Sequence, residues 1–287
     1  MSWAAGPYGP RPPTTPDGRA RTTRPTDPVH EVDQRTMDVE LLTVFNAVIN
    51  LRDNLDIRPH ILTSELDFLS FATRMAPYSN AQLLQDLWVL HELREKRNGY
   101  FVEFGACDGI SLSNTLLLEK TFGWQGVLAE PARAWHAALY KNRDCYISDQ
   151  CVYKTDGIEV LFNEVDIGEL SGVDDFVAGD FHADFRQEAK QYPVSTISLN
   201  RLLREARAPR RIDYLSLDVE GGEFDVLQSF DFAAHDVALI SVEHNFADSR
   251  SKIYDLLTNL GYRRRFKQLS LFDDWYVRPD LVASQDS

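Results

Sequence analysis

Three short clusters carry the side chains that could do chemistry. The first runs Tyr-Phe-Val-Glu-Phe-Gly-Ala-Cys-Asp-Gly, from Tyr100 to Gly109. An apolar run that ends in an acid and two spaced glycines describes a buried strand turning into a helix. In an open α/β sheet, ligands bind beyond the carboxyl ends of the strands. Gly105 and Gly109 let backbone approach such a ligand closely. Glu103, Gly105, Asp108, Gly109 and Asn114, just downstream, are therefore candidate binding residues. The same pattern taken alone also fits a tight strand-to-helix turn with no ligand.

The second cluster sharpens the first. The apolar stretch Gly126–Ala129 leads into Glu130 and Pro131, with Glu130 21 positions past Gly109. An acid at the end of a second strand can accept hydrogen bonds from both hydroxyls of a ribose. A dinucleotide site wants G-x-G-x-x-G over a pyrophosphate, whereas this chain has E-x-G-x-x-x-G with Asp108 inside the turn. An acid there repels a pyrophosphate and suits a cofactor bearing an ammonium and a sulfonium. That points to S-adenosylmethionine, with Asp149 placed past a third strand to reach the adenine. The other reading of Asp149 is a solvated loop acid.

The third cluster is Ile-Asp-Tyr-Leu-Ser-Leu-Asp-Val-Glu-Gly-Gly-Glu, Ile212 to Glu223, whose strand ends at Asp218. A neighbouring strand, Ala238–Val242, ends in Glu243, His244 and Asn245. Asp218 and Glu243 supply hard oxygen ligands suited to magnesium, and His244 could complete that shell. Alternatively His244, oriented by Asp218 or Glu220, takes a hydroxyl proton with no metal. Asp218, His244 and Glu220 are thus the candidate catalytic residues, and Asp218, Glu243 and His244 the candidate metal ligands. Against both stands a plain structural account, in which the acids cap helix N-termini and His244 is a bonded polar residue.

These residues need a scaffold that brings strand ends together, and the pattern after Gly99 provides one. Strands are expected at 100–104, 126–129, 145–147, 212–217, 237–242, 262–267 and 274–277. Helices are expected near 113–121, 132–140, 199–207, 222–229 and 251–260. Alternating strands and helices imply a mostly parallel sheet covered on both faces. The last two strands, joined by a short polar link, imply an antiparallel close. A further strand pair around 152–165 and a mobile polar segment at 166–192 interrupt the alternation. Upstream, residues 37–98 are read as a helical cap, with helices from Met37, across 64–75, and from Ser79 as N-cap with Gln82 completing a capping box. Residues 1–36 hold seven of the thirteen prolines and almost no apolar periodicity, so they are expected to be a disordered tail. The domain proper then covers 99–287.

Composition narrows the partners. The chain of 287 residues carries 44 acidic against 30 basic side chains, a net charge of −14. A surface of that sign repels a phosphate backbone, so nucleic acid is not expected as substrate. The one basic run, Arg263-Arg264-Arg265, is split by strand alternation and reads as a solvated edge. No apolar run approaches a membrane span, and three cysteines without paired spacing fit a cytoplasmic protein. Oligomeric state is not encoded in any pattern here.

From about Ser79 to Val277 the sequence resembles the FkbM-type methyltransferase family. The matching pieces, in order, are Gln82–Asp86, Phe101–Gly109, Ser113–Thr115 with Leu118–Lys120, Trp124–Pro131, Thr196–Leu199, Asp213–Gly221, Val242–Asn245 and Asp273–Tyr276. Gly222 stands where many relatives resemble Ser-Glu or Ala-Glu. The resemblance implies a Rossmann-like class I methyltransferase sheet. It also implies S-adenosylmethionine as cofactor and O-methylation of a hydroxyl on a sugar, glycolipid or secondary metabolite, hence a small-molecule or glycan acceptor. In that reading Glu130 anchors the ribose, while Glu103 and Gly105 frame the methionine end. A binding or trafficking protein that retains the fold without turnover is the alternative from another class.

Overall fold

The computed structural model describes residues 59–164, 172–173, 190–219 and 221–280. The chain enters through helices α1 (Pro59–Met75) and α2 (Gln85–Glu92), then β1 (Tyr100–Phe104), α3 (Leu116–Phe122), β2 (Gln125–Ala129), α4 (Arg133–Asn142) and β3 (Tyr146–Ser148). Next come β4 (Cys151–Tyr153), β5 (Glu159–Glu164), β6 (Gly172–Val173) and β7 (Lys190–Ser198). The remainder is α5 (Leu199–Glu205), β8 (Arg211–Leu217), α6 (Glu223–Ser229), β9 (Asp236–Glu243), α7 (Ser249–Asn259), β10 (Arg263–Arg265) and β11 (Asp273–Val277).

Seven strands form the main sheet in the order β10-β11-β9-β8-β1-β2-β3. β3, β2, β1, β8 and β9 run parallel; β11 is antiparallel and lies between β9 and β10. This is the mostly parallel, Rossmann-like sheet with a reversed last strand that the sequence implies. Central strands are apolar on both faces because both are covered. On one face Val102, Phe104, Val127, Leu215, Ile240 and Val242 pack under Leu199, Leu202 and Leu203 of α5 and Ile253 and Leu257 of α7. On the other, Phe101, Leu128, Tyr214 and Leu239 meet α1 through Phe68 and α2 through Leu87 to Leu90. There Trp88 stacks on Trp275 of β11 with ring centroids 5.1 Å apart.

Chain order runs outward from β1 in both directions, to β2 and β3 on one side and β8 and β9 on the other. The carboxyl ends of β1, β2, β8 and β9 lie along one edge, with Glu103 registered to Ser216, Phe104 to Ala129 and Leu217 to Val242. That is the topological switch point at which such sheets bind ligands.

Three expectations change. The helix expected from Ser79 begins at Gln85, with Leu84 in the left-handed region (φ 61°) before it. Ser79 does not cap it: its hydroxyl donates to Asp86 at 2.6 Å, and Ala81 pairs with Leu112 as an isolated bridge, which pulls 79–84 out of helix. The strands expected around 152–165 do not pair with each other. Both pair with β7, β4 in parallel and β5 in antiparallel, giving a second sheet in the order β4-β7-β5-β6. The arginine run is not a bare solvated edge, since Arg264 bridges to Asp274 at 3.2 Å and Arg265 to Glu92 at 3.1 Å. Finally, the expected tail, the helix from Met37 and most of segment 166–192 lie outside the described residues, as does Glu220. Among the described residues no helix is long and apolar enough to cross a membrane.

Candidate functional site

The turn after β1 is built from its own side chains. Glu103, buried, accepts hydrogen bonds from the backbone N–H of Asn114 at 2.6 Å and from the hydroxyls of Ser113 and Thr115. Arg143, at the end of α4, lies 3.6 Å from the same carboxylate and donates to Ser113 Oγ, Thr115 Oγ1 and the Gly109 carbonyl. Glu103 therefore staples the loop back to its strand. Asp108 is likewise engaged: its carboxylate accepts the N–H groups of Ile110 (2.8 Å) and Ser111 (2.7 Å). Partial burial alone would raise its pKa, yet those donors and the Ser111 hydroxyl hold it below the usual carboxylate range.

The two glycines do different things. Gly109 (φ 78°) is buried, and a Cβ there would sit 2.6 Å from Arg143 Cγ and 2.8 Å from Leu139 Cδ1, so it lets the turn pack onto α4. Gly105 (φ 70°) is exposed at the end of β1, where a Cβ would meet the Asp218 carbonyl oxygen at 3.0 Å. It thus lets the first turn approach the end of β8 closely.

Glu130 closes the other side. One carboxylate oxygen accepts the Cys107 N–H and the other the Ala132 N–H, both at 2.8 Å. Burial pushes this carboxyl up to about 7 despite the two donors. Asp149 is exposed on the surface past β3. Asn114 donates from Nδ2 to Ser216 Oγ at 2.9 Å, linking the first turn to β8, while its Oδ1 is buried without a hydrogen-bond partner among the described residues.

Asp218 and Glu243, at the ends of β8 and β9, come together. Desolvation raises the Asp218 carboxyl well above the ordinary range, and Glu243, which both repels its charge and hydrogen-bonds to it, raises it further. Glu223 and Asp273 add to the same negative surroundings. Two carboxyls this close disfavour being ionised together. Glu223 itself caps the loop after β8, accepting the N–H groups of Val219 (3.2 Å) and Gly221 (3.0 Å).

His244 does not join them. Its Nδ1 accepts the Phe246 N–H at 3.0 Å, which places the ring proton on Nε2, 3.8 Å from Asp274 Oδ1. Burial lowers its pKa, with Asp274 opposing. A neutral ring whose one lone pair is already engaged can neither ligate a metal with Asp218 and Glu243 nor take a proton there. The expected metal triad is therefore not assembled, and among the described residues no group of three or more His, Cys, Asp or Glu side chains is arranged to hold a metal ion.

Residues not anticipated from the sequence pattern also border this edge. Gln85 donates from Nε2 to Asp273 Oδ2 at 2.9 Å, joining α2 to β11 across the site. Asp86 is fully buried; Oδ1 accepts from Ser79 and from the Leu87 N–H, while Oδ2 has no partner among the described residues. Burial pushes the Asp86 carboxyl up to about 7 and that of Asp273 to about 6. Their signal was an acid set inside an otherwise apolar helix or strand. The buried Asn114 acceptor without a donor fits a ligand that brings a cationic or N–H donor.

A family model described as "Methyltransferase FkbM domain" matches residues 103–264, more than half of the chain. No curated protein matches. Among solved structures, the chain is similar to a precorrin-6y C5,15-methyltransferase from Geobacter metallireducens GS-15 at 10% identity and a TM-score of 0.35. That similarity covers 67% of this chain and 85% of the other, and a likeness of this size carries no inference about chemistry.

Proposed function

Because the chain belongs to the FkbM methyltransferase domain family, we propose that it moves a methyl group from S-adenosylmethionine to a hydroxyl oxygen of a small-molecule or glycan acceptor. When bound, the cofactor supplies an electrophilic methyl group on a sulfonium. The observation that carries the reading is the exposed, side-chain-free turn at Gly105, set directly against Asp218 and tied at Cys107 to Glu130. Glu130 would hold the ribose hydroxyls with the lone pairs its two backbone bonds leave over. Asn114 would supply an acceptor for the ammonium end. Glu103 and Asp108 serve by fixing the loop rather than by touching the cofactor.

The acceptor hydroxyl then belongs beside Asp218 and Glu243. A carboxylate of this pair would take the hydroxyl proton as the oxygen gains its methyl group. Such a positioned base accelerates transfer by about 10²–10⁴-fold. Among the described residues no third His, Cys, Asp or Glu joins the pair to hold a metal ion, and no step here is routed through one. A reducing, cytoplasmic setting agrees with Cys107, Cys145 and Cys151 as free thiols.

Calorimetry with S-adenosylmethionine tests the cofactor. Removing charge-assisted bonds worth about 1.5–3 kcal/mol, Glu130→Ala should weaken binding by about tenfold or more while the fold persists. An unchanged dissociation constant places the cofactor elsewhere. For the acceptor side, transfer should survive excess EDTA and fall at least about a hundredfold in Asp218→Asn; loss in EDTA that magnesium restores would overturn the metal-free pair.

A further inference from the structure

The loop after β9 holds an aromatic side chain in an unusual way. Asn245 (φ 41°) and Phe246 (φ 59°) both occupy the left-handed region, which a bulky residue avoids. Burial does not compensate, because the Phe246 side chain is left 72% exposed. The strain is maintained by surrounding bonds: the Phe246 N–H to His244 Nδ1, the Ala247 N–H to the His244 carbonyl at 2.7 Å, and the N–H groups of His244 (2.9 Å) and Asn245 (3.3 Å) to the Phe272 carbonyl. The His244 ring also meets the Phe246 ring edge-on, with centroids 5.3 Å apart.

Behind His244 the support is charged and rigid. Asp274, facing Nε2, is gripped by Arg250 at 2.8 and 3.0 Å and by Arg264 at 3.2 and 3.3 Å. Four elements thus converge to hold one exposed ring three residues beyond Glu243. Backbone strain over-determined in this way is typical of loops that contact a ligand. Asp218 and Glu243 offer acceptors for hydroxyls on the same edge, and an exposed aromatic face offers a surface for C–H groups. Those two features together suit a pyranose ring.

Resting on the methyl-transfer reading above, we infer that Phe246 is the platform for the ring of a sugar acceptor, and that His244, backed by Asp274, is the positioning residue that holds it. His244 acts through Phe246 and not as a base. The test uses S-adenosylmethionine with 4-nitrophenyl pyranosides of glucose, galactose and rhamnose as probes, scoring product and KM. The wild type is expected to methylate at least one. Phe246→Ala should raise KM for it by about fivefold to tenfold, and Phe246→Trp should restore it. His244→Ala should raise KM similarly by releasing the loop, whereas His244→Asn, which keeps an acceptor for the Phe246 N–H, should stay near wild type. Cofactor affinity, measured by calorimetry, should hold in all four. An unchanged KM in Phe246→Ala overturns the inference even if His244→Ala fails to fold. So does a wild type that binds cofactor but methylates none of the probes. Absence of cofactor binding overturns the methyl-transfer reading itself and this inference with it.

Discussion

Adding a single methyl group at Gly105 tests the site from its tightest point. The residue sits at φ 70°, and a Cβ would stand 3.0 Å from the Asp218 carbonyl. Gly105→Ala should therefore cost about 1–2 kcal/mol in backbone strain and lower the melting temperature. Cofactor affinity should fall as well, because the carbon crowds the turn against the end of β8. A variant that melts and binds like wild type would show that this close approach is not needed. The role of Gly105 was legible in the sequence, since a glycine closing a buried apolar strand marks a backbone position where a side chain would collide or strain the turn. Glu103, Asp108 and His244 were not legible in the same way. An acid or imidazole beside a turn can meet a ligand or its own loop, and residue type alone does not say which. Here Ser113, Asn114 and Thr115 take Glu103, Ile110 and Ser111 take Asp108, and Phe246 takes His244.

At the level of elements, α4 locks the turn after β1 through the residue that caps its end. The Arg143 side chain is fully buried and lies between Glu103 and Glu119, 2.8 Å from the latter. Replacing it by Met of similar length leaves Glu103 buried without its cation, while Glu119 keeps Lys120 at 2.9 Å, and a buried carboxylate stripped of its partner costs about 3–5 kcal/mol. Urea denaturation should show that loss, and a change below about 1 kcal/mol would contradict the locking role. Nothing in the sequence marks Arg143, which with Lys141 reads as an ordinary basic helix end. Most strands were legible to within a residue or two because a covered parallel sheet demands continuous apolar runs. β7 was not, because Lys190-Gln-Tyr-Pro-Val194 looks like a polar loop until its alternate residues Tyr192 and Val194 are seen buried. The Ser79 capping pattern misled for a related reason: a local rule was overridden by the distant Leu112, with which the segment pairs.

Across the whole molecule, acids buried at the site edge set the response to pH. The carboxyls of Asp86 and Glu130 titrate at about 7 and that of Asp273 at about 6. Unfolded acids release their protons near pH ~4. Between those values the folded chain binds more protons than the unfolded one, so stability is greatest at low pH within this window and is lost as pH rises towards 7. Carboxyls held low, such as Asp108 and Asp274, act only below about pH 4, while the depressed His91 and His244 oppose the trend below about pH 6.5 as two groups against three. The melting temperature should thus be higher at pH 5.5 than at pH 8, by roughly several degrees, at constant ionic strength. A rise from pH 5.5 to pH 8 would refute this. The order of the strands has a further consequence, for synthesis. β11 is wedged between β9 and β10, and its Asp273 is hydrogen-bonded to Gln85, 188 residues earlier. On the ribosome the parallel strands through β9 can pair as they emerge, but the slot beside β9 stays vacant until residue 277 has cleared the exit tunnel. Until then β9 presents an open, apolar strand edge to the cell, so the nascent chain depends on late closure or on chaperones to avoid aggregation.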